Sequence, residues 1–352
     1  MLAELTRELP DGEGWLYEPK WDGFRALIFW DGSELLIQSR DLKPLGRYFP
    51  ELETGLKQAL PQACVLDGEV VIVDKSAGGG LDFDALQQRI HPAESRIRLL
   101  ASETPAEFVA FDLLAVGSDE MASRPLAERR AALERLLGGV RPPLHLTPAT
   151  TDRAQAADWF ERFEGAGLDG VVAKRLEDAY LPGQRVMLKV KHQRTVDCVV
   201  SGFRWHKEGK GTAIGSLLLG LYDEHGILHY VGGTSSFKMA ERKTLVEFLE
   251  PYRGASGFGR GRTPGEPNRW TGTRDVSWEP LRPELVCEVA FDHLQGDRFR
   301  HGATFLRWRS DKAPAECTYE QIAEVPPAEL RDLFGSPRPA ADGSVRPAPA
   351  RP

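Results

Sequence analysis

The chain has 352 residues, enough for two domains with a core each, and its 41% hydrophobic and 28% charged residues are those of a globular protein, not a disordered or fibrous one. A net charge of −7 sets it apart from uniformly basic nucleic-acid binders, and no apolar run approaches the length of a membrane span. The opening Met1-Leu2-Ala3-Glu4 lacks the basic and apolar regions of a signal peptide, so a cytoplasmic protein is expected. Cys64, Cys198, Cys287 and Cys317 lie far apart with no C-x-x-C pair, and are expected as thiols, not as zinc ligands or a disulfide framework.

In chain order, Glu18-Pro19-Lys20-Trp21-Asp22-Gly23-Phe24-Arg25 sets a lysine among carboxylates just ahead of the apolar run 24–30. Asp31-Gly32-Ser33 reads as a hairpin turn into a second strand over 34–40. Lys20 is therefore expected in a loop entering a strand, with Gly23 letting a backbone or a ligand come close. A single lysine of this kind is ordinarily a solvated surface residue; it becomes a nucleophile where its surroundings lower its pKa. Helical spacing of Phe49, Leu52, Leu56 and Leu60 predicts a helix over 49–60 that stops at Pro61. The strand 64–73 is interrupted by Asp67-Gly68-Glu69, and charge inside a core strand requires a partner or a task. Gly78-Gly79-Gly80 predicts a flexible loop, 83–90 the start of a helix, and 108–114 a strand carrying Asp112.

Amphipathic helices follow over 125–137 and 152–165, the second with Asp152 as N-cap. Leu168-Asp169-Gly170-Val171-Val172-Ala173-Lys174-Arg175 is again a strand with a charged lip. In Met187-Leu188-Lys189-Val190-Lys191 the alternation sends both lysines to one face: a wet strand edge, or a clamp for phosphate. Near 195 the texture changes to short strands (197–203, 216–222, 228–232, 285–291, 304–309), one helix (240–249) and a long Gly/Pro/Arg loop over 254–272, the pattern of a small Greek-key barrel of the OB type. The Pro/Ala/Arg-rich segment 335–352 is expected to be disordered.

Net charge conceals three basic runs in this second half. Lys189, Lys191, Arg194, Arg204, Lys207 and Lys210 outnumber Asp197 and Glu208. Five arginines between 253 and 274 face Glu266, and Arg298, Arg300, Arg307, Arg309 and Lys312 face Asp297 and Asp311. Such runs are commonly solvated faces; interleaved with Trp, Phe and Gly, they also suit a nucleic-acid backbone.

Seven strings stand in order: Glu18 to Arg25; Ser39-Arg40; Asp67-Gly68-Glu69; Phe111-Asp112-Leu113; Asp169 to Lys174; Leu188 to Lys191; and Arg309-Ser310-Asp311-Lys312. Together, across about residues 1–320, they resemble the covalent nucleotidyltransferase superfamily and, within it, the ATP-dependent DNA ligases. Asp82 to Arg89, 215–222 and Phe305-Leu306-Arg307-Trp308-Arg309 are similar to the bacterial end-joining ligases, and the absence of polymerase and nuclease domains to the small stand-alone C-type enzymes. The resemblance implies an α+β fold: an ATP-grasp-like nucleotidyltransferase (adenylation) domain with mainly antiparallel sheets over 1–195, an OB-fold β-barrel over 196–320 and a flexible tail over 321–352.

It also implies the chemistry. Lys20 would attack the α-phosphate of ATP, expel pyrophosphate and carry AMP to the 5′-phosphate of nicked duplex DNA, where the 3′-hydroxyl displaces it. Lys189 and Lys191 would hold the α-phosphate, and with Arg25 would lower the pKa of Lys20. Glu69 would accept from the ribose, Phe111 stack on adenine and Glu18 read its amino group, while Arg25 and Arg40 would touch the ribose or the nick phosphate. Arg309 and Lys312, on the barrel, would orient pyrophosphate. Asp169 stands where the family has a glutamate that binds metal; with Glu69 it is the expected site for Mg2+, or Mn2+ in its place, which screens the triphosphate. The expected enzyme is a monomer working with DNA-repair proteins and no membrane. An RNA ligase or capping-type transferase shares the covalent lysine, and a non-catalytic OB-fold binder would use the barrel alone; intact Lys20, Glu69, Lys189 and Lys191 speak against the last.

Overall fold

The computed structural model describes residues 1–74, 80–162, 168–191, 194–255, 257–259, 264, 277–292, 294–322 and 333–334, with Asp169 and Gln295 described by backbone alone. The chain divides into two compact units, Met1–Lys191 with Val325–Pro352, and His192–Glu324. Leu333 and Phe334, assigned above to a free tail, pack against the first unit. Segment 335–352, residues 78 and 79, and most of the loop 254–272 lie outside the described residues. Among the described residues no helix is long and apolar enough to cross a membrane.

The first unit is built on two sheets. Strands β1 (Leu2–Thr6), β2 (Trp15–Trp21), β3 (Phe24–Trp30), β4 (Leu35–Ser39), β5 (Cys64–Asp74), β6 (Gly80–Leu81), β7 (Ala106–Val116), β8 (Asp119–Glu120), β9 (Leu144–Leu146), β10 (Leu168–Arg175) and β11 (Arg185–Lys191) alternate with helices α1 (Pro50–Ala59), α2 (Phe83–Gln88), α3 (Glu94–Glu103), α4 (Leu126–Leu136) and α5 (Arg153–Arg162). The larger sheet runs β4-β3-β5-β7-β8, with β6 on β5 and β9 parallel to β7; the smaller runs β1-β11-β10-β2, antiparallel except for β1 with β11. One face of the larger sheet carries Ile28, Leu66, Val70, Ile72 and Phe108 into a core closed by Leu52 and Leu56 of α1, Leu86 of α2 and Leu133 of α4. A second core joins Trp15, Tyr17, Trp21, Val171, Ala173 and Val190 of the smaller sheet to Val71 and Val109 of the larger one, with Ala156 and Trp159 of α5.

Two buried arginines tie these layers. Arg89 donates to both carboxylate oxygens of Glu51 at 2.7 and 2.8 Å and to the carbonyls of Tyr48 and Thr104, joining α1 to the chain after α2 and α3. Arg129 of α4 grips Asp112 of β7 at 2.8 and 3.0 Å and caps the Arg124 and Asp178 carbonyls. Each is a charge taken from water and paired with a carboxylate inside; all three nitrogens of Arg129 are bonded, whereas Arg89 Nε has no hydrogen-bond partner among the described residues.

The second unit contains β12 (Arg194–Trp205), β13 (Ile214–Tyr222), β14 (Leu228–Thr234), α6 (Met239–Leu249), β15 (Glu279–Phe291), β16 (Leu294–Gln295), β17 (Arg298–Phe299) and β18 (Thr304–Trp308). Its antiparallel sheet runs β14-β13-β12-β15-β18. The two edges meet: Ala303, just before β18, bonds the Gly233 carbonyl of β14 at 3.0 Å, and the Phe305 amide bonds the Ser236 hydroxyl at 2.8 Å. That closure makes the OB-type barrel, removes exposed edges, and encloses Val199, Phe203, Leu217, Leu219, Val231, Cys287 and Val289. All four cysteines are free and buried; Cys198 and Cys287, remote in sequence, face each other across β12 and β15.

Candidate active site

Lys20 lies inside β2, not in a loop ahead of a strand. The reason is its neighbours: Trp15, Tyr17 and Trp21 alternate into the second core, so the chain stays extended through Lys20 while Glu18 and Lys20 take the opposite face. Register carries that face across the sheet. Glu18 pairs with Val172, and Val172 with Lys189. Lys20 lies opposite a bulge at Asp169-Gly170, and Gly170 pairs with Lys191. Lys189 and Lys191 therefore share the face of Glu18, Lys20 and Lys174, as the alternation predicted. Gly170 makes the row close: its φ is +128°, and a Cβ there would lie 2.0 Å from the Val190 carbonyl oxygen.

The larger sheet brings the other half. Arg25 pairs with Glu69, and Glu69 with Val109. A bulge between the Gly68–Ala110 and Asp67–Asp112 pairs leaves Phe111 as the extra residue, which turns its ring out of the ladder. Lys174 links the sheets: its ammonium is 2.5 Å from Glu18, 4.7 Å from the Phe111 ring centroid and 3.3 Å from the Phe111 carbonyl. Gly23 permits the approach of β5, since a Cβ would come 2.3 Å from the Val70 carbonyl oxygen and 2.8 Å from Glu69 Cγ.

Electrostatics divides the carboxylates. Burial pushes the Glu69 carboxyl from 4.5 up to about 8, while the charge of Lys20, then of Arg25, pulls it down. Lys20 and Glu69 thus sit within electrostatic reach of each other, and Lys20 is half-buried. Glu18, 2% exposed, is raised by burial against Lys174 and Arg130, and its Oε1 has no hydrogen-bond partner among the described residues. Asp67, fully buried, is satisfied by Arg25 at 2.6 and 3.0 Å and by the Tyr180 hydroxyl at 2.8 Å.

Arg25 is therefore committed to Asp67, with its guanidinium 5.6 Å from the Phe111 centroid, and braces the pocket where the sequence reading placed it on ribose or phosphate. Arg40 follows Ser39, the partner of Ala26, and is 69% exposed with Asp41 at 3.7 Å, outside the buried cluster. Lys174, Tyr180 and Arg130 were given no role from sequence: Lys174 was quoted within its string, and nothing near Tyr180 or Arg130 marks them beforehand. Among the described residues no group of three His, Cys, Asp or Glu side chains could hold a metal; the Asp169 side chain lies outside them.

Two family models match the chain: an ATP-dependent DNA ligase domain over residues 1–191 and an ATP-dependent DNA ligase C-terminal region over residues 210–312. The chain belongs to the ATP-dependent DNA ligase family. It is similar to DNA ligase C2 of Mycolicibacterium smegmatis, 50% identical over 93% of this chain and 94% of that protein. It is also similar to DNA ligase C of Mycobacterium tuberculosis, 49% identical over 95% of this chain and 96% of that protein. A solved structure of a Lig E DNA ligase shares the fold, at 18% identity and a TM-score of 0.51 over 88% of this chain and 98% of that one.

In the barrel of the ligase, Arg309 is held by Asp311 at 2.8 and 2.9 Å and by both oxygens of Asp197 at 3.0 Å, and Lys312 reaches Asp197 at 2.7 Å. The hydrogen bonds from Arg309 hold the Asp311 carboxyl down at about 2. Both sequence-predicted barrel residues are thus gathered on one carboxylate, Asp197, which sequence reasoning counted only as an opposing charge.

Proposed function

We propose that this ligase seals 3′-hydroxyl/5′-phosphate nicks in duplex DNA through a lysyl-AMP on Lys20, with ATP as the AMP donor. Support comes above all from one observation: the register of β2, β10 and β11 sets Glu18, Lys20, Lys189 and Lys191 on one face. In the roles proposed, Lys189 and Lys191 hold the α-phosphate as charge moves on to pyrophosphate. Phe111, turned out by its bulge, offers its ring to adenine, and Glu18 Oε1, 3.5 Å from Arg130 but without a hydrogen bond, accepts from the adenine amino group. Glu69 takes the ribose hydroxyls, and Arg25 keeps Asp67 and Phe111 in place.

The carboxylate oxygens of Glu69, and of Asp169 by its position in β10, are hard donors of the kind that hold Mg2+ or Mn2+ together with substrate phosphates. Such an ion would screen the triphosphate. Arg309 and Lys312 serve the leaving pyrophosphate, and Arg40, exposed, the nick 5′-phosphate. We place the enzyme in the cytoplasm as a monomer, working with DNA-repair proteins.

Mass spectrometry of the protein after incubation with Mg2+ and either ATP or GTP tests this reading. One AMP mapped to Lys20, given by ATP alone, is expected, followed by sealing of nicked DNA in preference to nicked RNA. AMP on another residue, or none, refutes the assignment of Lys20; GMP transfer or preference for RNA would favour the capping or RNA-ligase alternative.

A further inference from the structure

In the first unit a buried acceptor and a buried donor, Glu18 Oε1 and Arg130 Nη1, lie 3.5 Å apart, and neither has a hydrogen-bond partner among the described residues. Glu18 is 2% and Arg130 9% exposed. Their other contacts keep them from bonding each other. Glu18 is drawn by its second oxygen, Oε2, to the Lys174 ammonium at 2.5 Å. Arg130, on α4, is fixed on two sides: Nε donates to Glu134 at 2.7 Å and Nη2 to the Thr147 carbonyl at 2.9 Å. Its neighbour Arg129 pins the same turn of α4 to Asp112 of β7. Lys174, which holds Glu18, is also 4.7 Å from the Phe111 centroid, so the two unpartnered atoms stand within reach of that ring.

A donor and an acceptor buried side by side without partners are costly unless a ligand meets both. That ligand must donate and accept through adjacent atoms. The Watson–Crick edge of adenine does so: its 6-amino group donates, and the ring nitrogen beside it, N1, accepts. Main chain offers N1 no donor at residue 19, since Pro19 has no N–H. We propose that Arg130 is a second base-reading residue of the ligase, its Nη1 donating to adenine N1 while Glu18 Oε1 accepts from the 6-amino group. With the ribose and the ring plane fixed, guanine presents the reverse: a carbonyl oxygen toward Glu18 and an N–H toward the guanidinium. Acceptor then meets acceptor and donor meets donor, so GTP is excluded more strongly than by Glu18 alone. The proposal rests on the reading of Glu18 as partner of the adenine amino group.

Self-adenylylation without DNA, measured with ATP, 1-deaza-ATP and 7-deaza-ATP on wild type and on Arg130→Met, tests it, beside thermal melting of both proteins. 1-Deaza-ATP carries a C–H in place of N1. Wild type should need about tenfold more of it than of ATP to reach half its maximal rate, the worth of one hydrogen bond from a charged donor, with the maximal rate little changed. 7-Deaza-ATP keeps N1 and should behave as ATP does. In Arg130→Met the gap between ATP and 1-deaza-ATP should close, and the preference for ATP over GTP should shrink by about tenfold. A residue that only supported α4 would weaken all nucleotides alike and leave these ratios in place. A wild type that uses 1-deaza-ATP as readily as ATP overturns the proposal, whether or not the variant folds; so does a gap that persists in the folded variant. Failure of the Glu18 reading would appear separately: purine riboside triphosphate, which lacks the amino group, would then serve wild type as well as ATP.

Discussion

Replacing Glu69 by glutamine should stabilise the ligase, free of nucleotide and metal, at alkaline pH. Burial raises this carboxyl from 4.5 to about 8. Between those values the folded chain keeps a proton that the unfolded chain has released, so stability falls as pH rises, by about 1.4 kcal/mol per unit. The full span sets a ceiling of about 5 kcal/mol; the side chain is partly open to solvent, and screening brings the working figure to about 2 kcal/mol. The penalty is absent below the unfolded value and complete above the folded one. Glutamine keeps the shape and cannot ionise. The first unit of the variant should therefore melt roughly 4–8 °C above wild type at about pH 9 and level with it at about pH 4.5. Scanning calorimetry of both proteins across that range, with a chelator present, measures the difference. A gap that does not grow with pH, or that has the opposite sign, refutes the reasoning. The same variant should lose AMP attachment, since an amide can neither carry the charge nor accept as strongly from ribose.

Other substitutions probe the frame and the second unit. Gly170→Ala places a methyl 2.0 Å from the Val190 carbonyl oxygen at a φ of +128°, and should lower stability by about 3 kcal/mol or more; urea titration at wild-type midpoint would exclude the close approach. Arg129→Met leaves Asp112 buried and unpaired, at a cost of about 3–5 kcal/mol, and adding Asp112→Leu should recover most of it; a double variant no better than the single would deny the pair its isolation. Arg309→Ala should slow attachment of AMP to Lys20 more than it slows sealing of pre-adenylylated nicks, compared in single-turnover assays. Equal loss in both steps would count against a role with pyrophosphate.

The elements that sequence made legible are those whose pattern is local. The hairpin over 24–40 turns at Asp31, whose carboxylate bonds the Ser33 and Glu34 amides, and α5 starts with Asp152 bonded to the Ala154 amide. The stripe Leu52/Leu56 faces the core as spaced. Strand β1 was missed because its pairing is with β11, about 180 residues away, and its own pattern is weak. Helix α3 was missed because Ile97 and Leu100 are a narrow apolar stripe in a charged segment. Of the site, each charged position could be read from its string, but not its partner. Whether Arg25 meets a phosphate or Asp67 depends on packing that brings Tyr180 to the same carboxylate, which no local pattern encodes.

Asp67 and Glu69 show what that packing accomplishes. They stand two residues apart on one face of β5, so alternation alone treats them alike. Asp67 receives a bidentate guanidinium and a phenol, which fix its carboxylate in place. Glu69 is within reach of Lys20 and Arg25 but is raised by burial and by its carboxylate neighbours, Asp67 and Asp22. One carboxylate is thus spent on holding Arg25 beneath Phe111, and the other is kept responsive to whatever charge enters beside it. The strand can afford the second only because the first fixes the geometry: an unbraced pair of acids would repel, and the chain would have to move when a triphosphate arrived. The interruption of a core strand by Asp67-Gly68-Glu69 is therefore two devices, a structural ion pair and a polar group held ready for ligand, with Gly68 between them because a Cβ there would strike Phe108 at 2.3 Å.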